Sequence, residues 1–84
     1  MNIETKELVV YGTSWCGSSR SVKRYLDANG FPYTWVDIEH DKEGRAFVLK
    51  TTGGHASVPT ILFPDGSVMV EPSMIALNKR LRPE

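Results

Sequence analysis

The chain alternates strand-like and helix-like segments over nearly its whole length of 84 residues. Short apolar runs suit buried strands, whereas Val22, Tyr25 and Leu26 recur at the spacing of one helix face. A second such face is formed by Met74 and Leu77, together with Leu81. The pattern predicts strands at residues 6–11, 33–38, 58–63 and 67–70, and helices at residues 16–29, 41–51 and from 74 onward.

Residues that start or stop regular structure mark the ends of these segments. Asp41 and Ser73 are typical helix N-caps, and the pairs at residues 29–30 (Asn-Gly) and 53–54 (Gly-Gly) are helix stops. Residues 64–66 (Pro-Asp-Gly) are a strong hairpin signal between the last two strands. The predicted order of elements is therefore βαβαββα.

This order restricts the fold class. A strand, helix, strand start implies a parallel pair joined by a right-handed crossover, and the closing hairpin adds antiparallel strands to the same sheet. The chain is too short to enclose a second core. We therefore expect one α/β domain over residues 1–84, with a four-stranded mixed sheet and helices on both faces.

Charge and composition exclude several function classes. Ten Lys and Arg residues balance ten Asp and Glu residues, which gives no reason to expect a nucleic-acid partner or an anionic membrane. No stretch is apolar enough to span a bilayer, and residues 1–7 lack the basic and apolar regions of a signal peptide. A single cysteine allows no internal disulfide, which is typical of a reducing compartment. The expected location is the cytoplasm.

The one cysteine, Cys16, lies in a position that favours reactivity. It follows the first strand across a short loop and comes directly before a helix. Unpaired N–H groups and the helix dipole at such a place stabilise a thiolate. In a Cys-x-x-Cys redox motif the second sulfur would be at position 19, where this chain has Ser19. His40 and His55 are not at a metal-ligand spacing from Cys16, so no metal site is expected.

Several motifs together resemble the glutaredoxin family, which has a thioredoxin fold. They are the loop at residues 13–17 (Thr-Ser-Trp-Cys-Gly), the segments at 36–38 (Val-Asp-Ile) and 57–60 (Ser-Val-Pro-Thr), and the Gly pair at 53–54. Residues 14–17, 37–40 and 64–67 are most similar to mycoredoxins and related bacterial proteins. The resemblance covers nearly the whole chain.

The resemblance implies roles for particular residues. Cys16 would be the nucleophile, and Ser19 would occupy the place of the resolving cysteine of dithiol relatives. Val58 and Pro59 would form the family's loop with a cis peptide bond, and Ser73 would begin the turn that binds a carboxylate. The complete set of residues implied to bind the small thiol is Thr13, Trp15, Gly17, Val58, Pro59 and Ser73.

The implied reaction is thiol–disulfide exchange on mixed disulfides between proteins and a small thiol. Ser19 cannot attack a disulfide at neutral pH, so the predicted mechanism uses one thiol. The co-substrate would be mycothiol or glutathione, with no tightly bound cofactor. Glutathione-using members usually carry a Lys where this chain has Thr13, which favours another thiol. The partners would be thiolated or disulfide-containing proteins, and the chain is expected to be a monomer.

Two alternatives remain open at this point. The motif at residues 16–19 (Cys-Gly-Ser-Ser) also resembles Cys-Gly-Phe-Ser, with which monothiol glutaredoxins hold a [2Fe–2S] cluster between two chains. Mycoredoxin-like proteins commonly have cysteine at the place of Ser19. The second alternative is therefore that Ser19 is an engineered replacement that traps a mixed disulfide.

Overall fold

The computed structural model describes residues 7–82 and contains the seven elements in the predicted order. Each boundary lies within about two residues of its expected place. Lys6, where the first strand was expected to begin, lies outside the described residues. No helix within residues 7–82 is long and apolar enough to cross a bilayer. The elements are β1 (Leu8–Gly12), α1 (Gly17–Ala28), β2 (Tyr33–Asp37), α2 (Lys42–Thr52), β3 (Thr60–Leu62), β4 (Val68–Val70) and α3 (Met74–Leu81).

The strands form one four-stranded sheet in the order β2-β1-β3-β4. β1 pairs with β2 in parallel, whereas the β1–β3 and β3–β4 pairs are antiparallel. The mixed sheet expected from the sequence is therefore confirmed. β3 begins later than predicted, at Thr60, because Pro59 has no N–H to donate to a strand ladder.

Alternate residues of β1 point to opposite faces of the sheet and enter two separate cores. Leu8 and Val10 pack on the face covered by α1 and α3, whereas Tyr11 packs on the face covered by α2. The first core is completed by Val22, Leu26, Ile61, Phe63 and Leu77, and the second by Ile38 and Val48. This arrangement confirms helices on both faces and fixes α1 and α3 side by side.

The helix stops predicted from the sequence also have the expected geometry. Gly53 follows α2 with φ 79°, in the left-handed region that glycine adopts readily, and its N–H donates to the Leu49 carbonyl. α1 ends at Ala28, and Asn29 caps it through a backbone N–H bond to Tyr25. Local signals alone thus determine where these helices end.

Candidate active site

Cys16 is the N-cap residue of α1, between the end of β1 and the first helical turn. Its backbone is extended, with φ −83° and ψ 121°, and its side chain is half-buried. The Cys16 N–H donates to the Thr13 carbonyl at 3.4 Å, and the Arg20 N–H donates to the Cys16 carbonyl at 3.0 Å. The thiol is therefore held at the helix N-terminus by hydrogen bonds on both sides of it in the chain.

The pKa of the Cys16 thiol is lowered from its ordinary value of 9.0. The largest cause is hydrogen bonding from the Ser19 hydroxyl, followed by the Ser19 backbone N–H, and the Ser18 N–H contributes less. Partial burial and the carboxylate of Glu71 oppose this effect. The direction agrees with the sequence-based expectation, since N–H groups at a helix start stabilise the thiolate.

Ser19 is fully buried one helical turn beyond Cys16. Its Oγ has no hydrogen-bond partner within residues 7–82 while Cys16 is an uncharged thiol. A hydrogen bond from the Ser19 hydroxyl stabilises the ionised sulfur more than the neutral thiol, which is why it lowers the pKa of Cys16. Gly12 makes room for this arrangement, because a Cβ at Gly12 would lie 2.8 Å from Ser19 Oγ and from the Trp35 ring.

The Val58–Pro59 peptide bond is cis, as the sequence predicts. The Cys16 Sγ–H points to the Val58 carbonyl at a sulfur–oxygen distance of 3.9 Å, across 42 residues of sequence. Among the described residues, no acceptor pairs with the Val58 N–H. Pro59 is buried, and its carbonyl accepts the Glu71 N–H at 2.8 Å. The loop before β3 therefore lies beside the thiol.

A groove of about 480 Å³ lies between the N-terminal ends of α1 and α3. Ser73 is the N-cap of α3, and its Oγ accepts the Ala76 N–H at 3.0 Å. The residues that line the groove are Gly17, Ser18, Ser21, Val22, Pro72, Ser73 and Met74. Two sequence-predicted site residues, Gly17 and Ser73, are thus brought together next to Cys16.

Trp15 precedes Cys16 and has 66% of its surface exposed. Its indole N–H donates to Glu39 Oε2 at 2.7 Å, so the ring is held by the loop that follows β2. Trp15 flanks the thiol in sequence but is not among the residues that line the groove beside Ser73.

The structure does not bring the Thr13 side chain to the groove. Thr13 is only 2% exposed, and its Oγ1 has no hydrogen-bond partner within residues 7–82. Its backbone carbonyl instead accepts the Cys16 N–H. The loop therefore turns the Thr13 side chain inward. The assignment of Thr13 to the ligand-binding set stays a prediction.

Sequence reasoning missed two acidic residues near the thiol. Glu71 has φ 49°, a left-handed backbone that non-glycine residues rarely adopt, and nothing in its residue type signals this. Glu39 was missed because its partner, Trp15, is 24 residues away in sequence. Neither the backbone conformation of Glu71 nor the hydrogen bond between Glu39 and Trp15 has a local sequence signature, because both depend on how separate loops meet in the fold.

No group of three or more His, Cys, Asp or Glu residues in the described part of the chain could hold a metal ion.

Comparisons with known proteins agree with this geometry. The family model described as Glutaredoxin matches residues 8–68. A Mycobacterium tuberculosis protein named "Putative glutaredoxin" is 42% identical over 77 residues, which is 92% of each chain. Mycoredoxin 1 of Corynebacterium glutamicum is 32% identical over 65 residues, which is 77% of this chain and 80% of that protein.

Solved structures show the same fold. A mutant of a thioredoxin-like protein superposes with a TM-score of 0.81 and 28% identity, covering 95% of this chain and all of that chain. The buckwheat glutaredoxin–glutathione complex gives a TM-score of 0.67 and 25% identity, covering 87% of this chain and 67% of that one. With a thiol of lowered pKa at the start of α1, beside a cis-proline loop, the chain belongs to the glutaredoxin family of thiol–disulfide oxidoreductases.

Proposed function

We propose that this protein reduces mixed disulfides between proteins and a low-molecular-weight thiol, through Cys16 alone. The observation that carries the proposal is the combination of a lowered thiol pKa at Cys16 with a buried serine where a second thiol would be. The thiolate is the nucleophile of disulfide exchange, and a fully buried hydroxyl is not a nucleophile toward sulfur at neutral pH.

The exchange has two steps. The Cys16 thiolate attacks the sulfur of the small thiol in the mixed disulfide, and the protein thiolate leaves and takes up a proton. Cys16 is then joined to the small thiol by a disulfide. A second molecule of the small thiol attacks the sulfur of the first, which gives the oxidised small-thiol dimer and returns Cys16 as a thiolate. Each mixed disulfide that is reduced consumes one free small thiol, because the other half of the oxidised dimer comes from the mixed disulfide itself.

The groove between the starts of α1 and α3 is the proposed site of the small thiol. Ser73 begins α3, and unpaired N–H groups at a helix start favour an anionic or hydroxyl-rich ligand. The unpaired N–H and the carbonyl of Val58 are suited to pair with a peptide-like part of the ligand, as an added strand does. Trp15 flanks the thiol without lining this groove.

Mycothiol or a similar thiol is the proposed co-substrate, with glutathione as the competing candidate. The relatives favour mycothiol, since one of them is a mycoredoxin. The buckwheat glutaredoxin that was solved with glutathione favours the competitor at lower sequence identity. The proposal includes no tightly bound cofactor, a monomeric protein and a reducing compartment such as the cytoplasm, where the small thiol regenerates Cys16.

Mass spectrometry after parallel incubation with the disulfides of mycothiol, glutathione and bacillithiol tests the proposal. We expect a single adduct on Cys16, formed fastest with mycothiol, and none on a Cys16→Ser control. Equal rates of adduct formation with all three disulfides would contradict the assignment of mycothiol but not the exchange reaction. Absence of any adduct would refute the exchange reaction itself.

A Ser19→Cys variant tests the one-thiol mechanism. A thiol at position 19 lies one helical turn from Cys16 and acts at high effective concentration, so we expect faster reduction of dialkyl and protein disulfides. Turnover of mixed disulfides with a small thiol should change much less, because that route uses one protein sulfur. If the chain reduced neither class and only Ser19→Cys were active, Ser19 would instead be an inactivating or trapping substitution.

A further inference from the structure

A second groove, of about 430 Å³, lies on the opposite face of α1 from the groove beside Ser73. Three cationic side chains from successive turns of the helix line it, together with one acid, one aromatic ring and one residue of the loop before Cys16. These residues are Ser14, Arg20, Lys23, Arg24, Asp27 and Trp35. This surface, which we call the basic groove, is not used by the small-thiol reaction described above.

No salt bridge among the described residues neutralises the positive charge of the basic groove. Arg20, Lys23 and Arg24 are exposed, and none has a salt bridge to a carboxylate within residues 7–82. Asp27 is the one acid in the groove, and its Oδ1 already accepts the Tyr33 hydroxyl at 2.8 Å. In a chain with equal numbers of acidic and basic residues, this clustering leaves a local excess of positive charge beside the reactive loop.

The groove also has a fixed wall. The Lys23 ammonium lies 4.7 Å from the centroid of the Trp35 ring, a cation–π contact that orients the lysine along the groove. Trp35 packs against the core formed by β1, α1 and α3, so the aromatic wall does not depend on a mobile side chain. The groove therefore combines an aromatic wall with cations that have no carboxylate partner among the described residues.

The two grooves divide the surroundings of Cys16. Gly17, Ser18 and Ser21 face the groove beside Ser73, whereas Ser14 and Arg20 face the basic groove. Cys16, the N-cap of α1, directly precedes Gly17 of the groove beside Ser73 and follows Ser14 of the basic groove by two residues. A mixed disulfide likewise has two halves that diverge from its sulfur atoms. With one half in the groove beside Ser73, as proposed above, the other half would extend along the face of α1 that carries the basic groove.

We propose that the basic groove docks an acidic segment of the protein substrate while its mixed disulfide is attacked by Cys16. This inference rests on the proposed function for the reaction step and on charge complementarity for the docking step. Glu or Asp side chains near the substrate cysteine would pair with Arg20 and Arg24, and the rim pairs would mainly raise the rate of encounter. Protein substrates with acidic residues beside the modified cysteine are therefore reduced preferentially.

Two peptides that carry the same cysteine in a mixed disulfide with mycothiol test the proposal, one flanked by Glu and the other by Gln. At low salt we expect kcat/KM for the Glu peptide to exceed that for the Gln peptide by about five- to tenfold, and the ratio to fall toward one at 0.5 M salt because exposed charges are screened. Arg24→Glu should lower the ratio to about one or below. Lys50→Glu is the matched control, since it makes the same charge change on an exposed residue of α2 outside the groove, and it should keep the ratio.

A binding measurement separates this proposal from the reaction. Fluorescence anisotropy of labelled, cysteine-free Glu and Gln peptides on the Cys16→Ser protein should show tighter binding of the Glu peptide, lost in Cys16→Ser/Arg24→Glu. If no mixed disulfide were turned over but this preference persisted, the proposed function would fail and the docking surface would stand. Equal binding of both peptides, or equal effects of Arg24→Glu and Lys50→Glu on the rate ratio, would overturn the docking proposal.

Discussion

The three helices within residues 7–82 begin in two different ways. At α2 the Asp41 Oδ1 accepts the Gly44 N–H at 2.8 Å, and at α3 the Ser73 Oγ accepts the Ala76 N–H at 3.0 Å. At α1 the N-cap residue is Cys16, whose backbone is extended like the other two but whose side chain accepts no capping hydrogen bond as a thiol.

This difference shows what the start of α1 is built for. A side-chain cap contributes typically about 1 kcal/mol to helix stability. α1 gives up this contribution while Cys16 is a thiol, and its free N–H groups then stabilise the sulfur once it carries a charge. The capped helix starts serve stability, and the uncapped one serves the thiolate.

Exchanging the two kinds of helix start gives the largest expected effect. Cys16→Asp places at α1 the residue type that caps α2. We expect exchange activity to be abolished, because no thiolate remains. The same change should raise the free energy of unfolding by about 0.5–1 kcal/mol, since an aspartate in this extended conformation accepts an N–H of the first turn.

Urea denaturation and a mixed-disulfide reduction assay measure the two effects in Cys16→Asp. Cys16→Ala serves as the control that removes the thiol without supplying a cap. If Cys16→Asp were no more stable than Cys16→Ala, the start of α1 would not be a normal capping site. The contrast between the start of α1 and the starts of α2 and α3 would then be wrong.

Ser19→Ala makes the third residue of α1 like Ala76, the corresponding residue of α3. We expect the pKa of Cys16 to rise, because the hydroxyl that contributes most to the thiolate is removed. Exchange at pH 7 should slow by about two- to fivefold, since a smaller thiolate fraction is partly offset by a more nucleophilic sulfur.

Thiolate absorbance near 240 nm, followed against pH, measures the shift in Ser19→Ala. The variant should also be at least as stable as the parent protein, because it removes a buried hydroxyl that has no partner while Cys16 is a thiol. A pKa that did not rise would show that the backbone N–H groups alone stabilise the thiolate.

Asp41→Ala tests the capped start of α2, which we interpret as serving stability only. Loss of the hydrogen bond to Gly44 should reduce the free energy of unfolding by about 1 kcal/mol. Exchange activity should stay within about twofold of the parent when measured well below the unfolding transition, because α2 lies on the sheet face away from α1. A large loss of activity in the folded variant would mean that this helix start also serves the thiol.

The dependence of stability on pH gives the smallest expected effect. The pKa of Cys16 is lower in the folded than in the unfolded chain, so its contribution is fully present above the unfolded value and is lost as pH falls through the folded value. The free energy of unfolding of the parent protein, relative to Cys16→Ser, should therefore rise with pH across that window. Urea titrations under a reductant measure it, and a flat difference would contradict the lowered pKa.

The sequence was sufficient for the order of elements and for most of their ends. Asp41 and Ser73 were predicted as caps, and both accept the expected N–H. The cis bond before Pro59 and the position of Cys16 at a helix start were also predicted correctly. These features depend on backbone chemistry within a few residues or on motifs of the glutaredoxin family.

The sequence predicted less of the candidate site than of the fold. The burial of Thr13 was missed because a threonine in a loop has no pattern that shows which way it points. The positive φ of Glu71 was missed because its conformation is imposed by the turn between β4 and α3, where its N–H bonds to the Pro59 carbonyl. The roles assigned to the ligand-binding residues, Thr13 included, stay predictions.

The sequence by itself determined the α/β fold, the single thiol and its place at the start of α1, because periodicity, caps and turns act over a few neighbouring residues. Only the tertiary structure decided what surrounds that thiol. The Val58 carbonyl reaches Cys16 across 42 residues and Glu39 reaches Trp15 across 24 residues. Packing also places one groove on each side of α1. Such contacts join distant segments through the packing of the sheet and helices, and no local pattern in the chain encodes them.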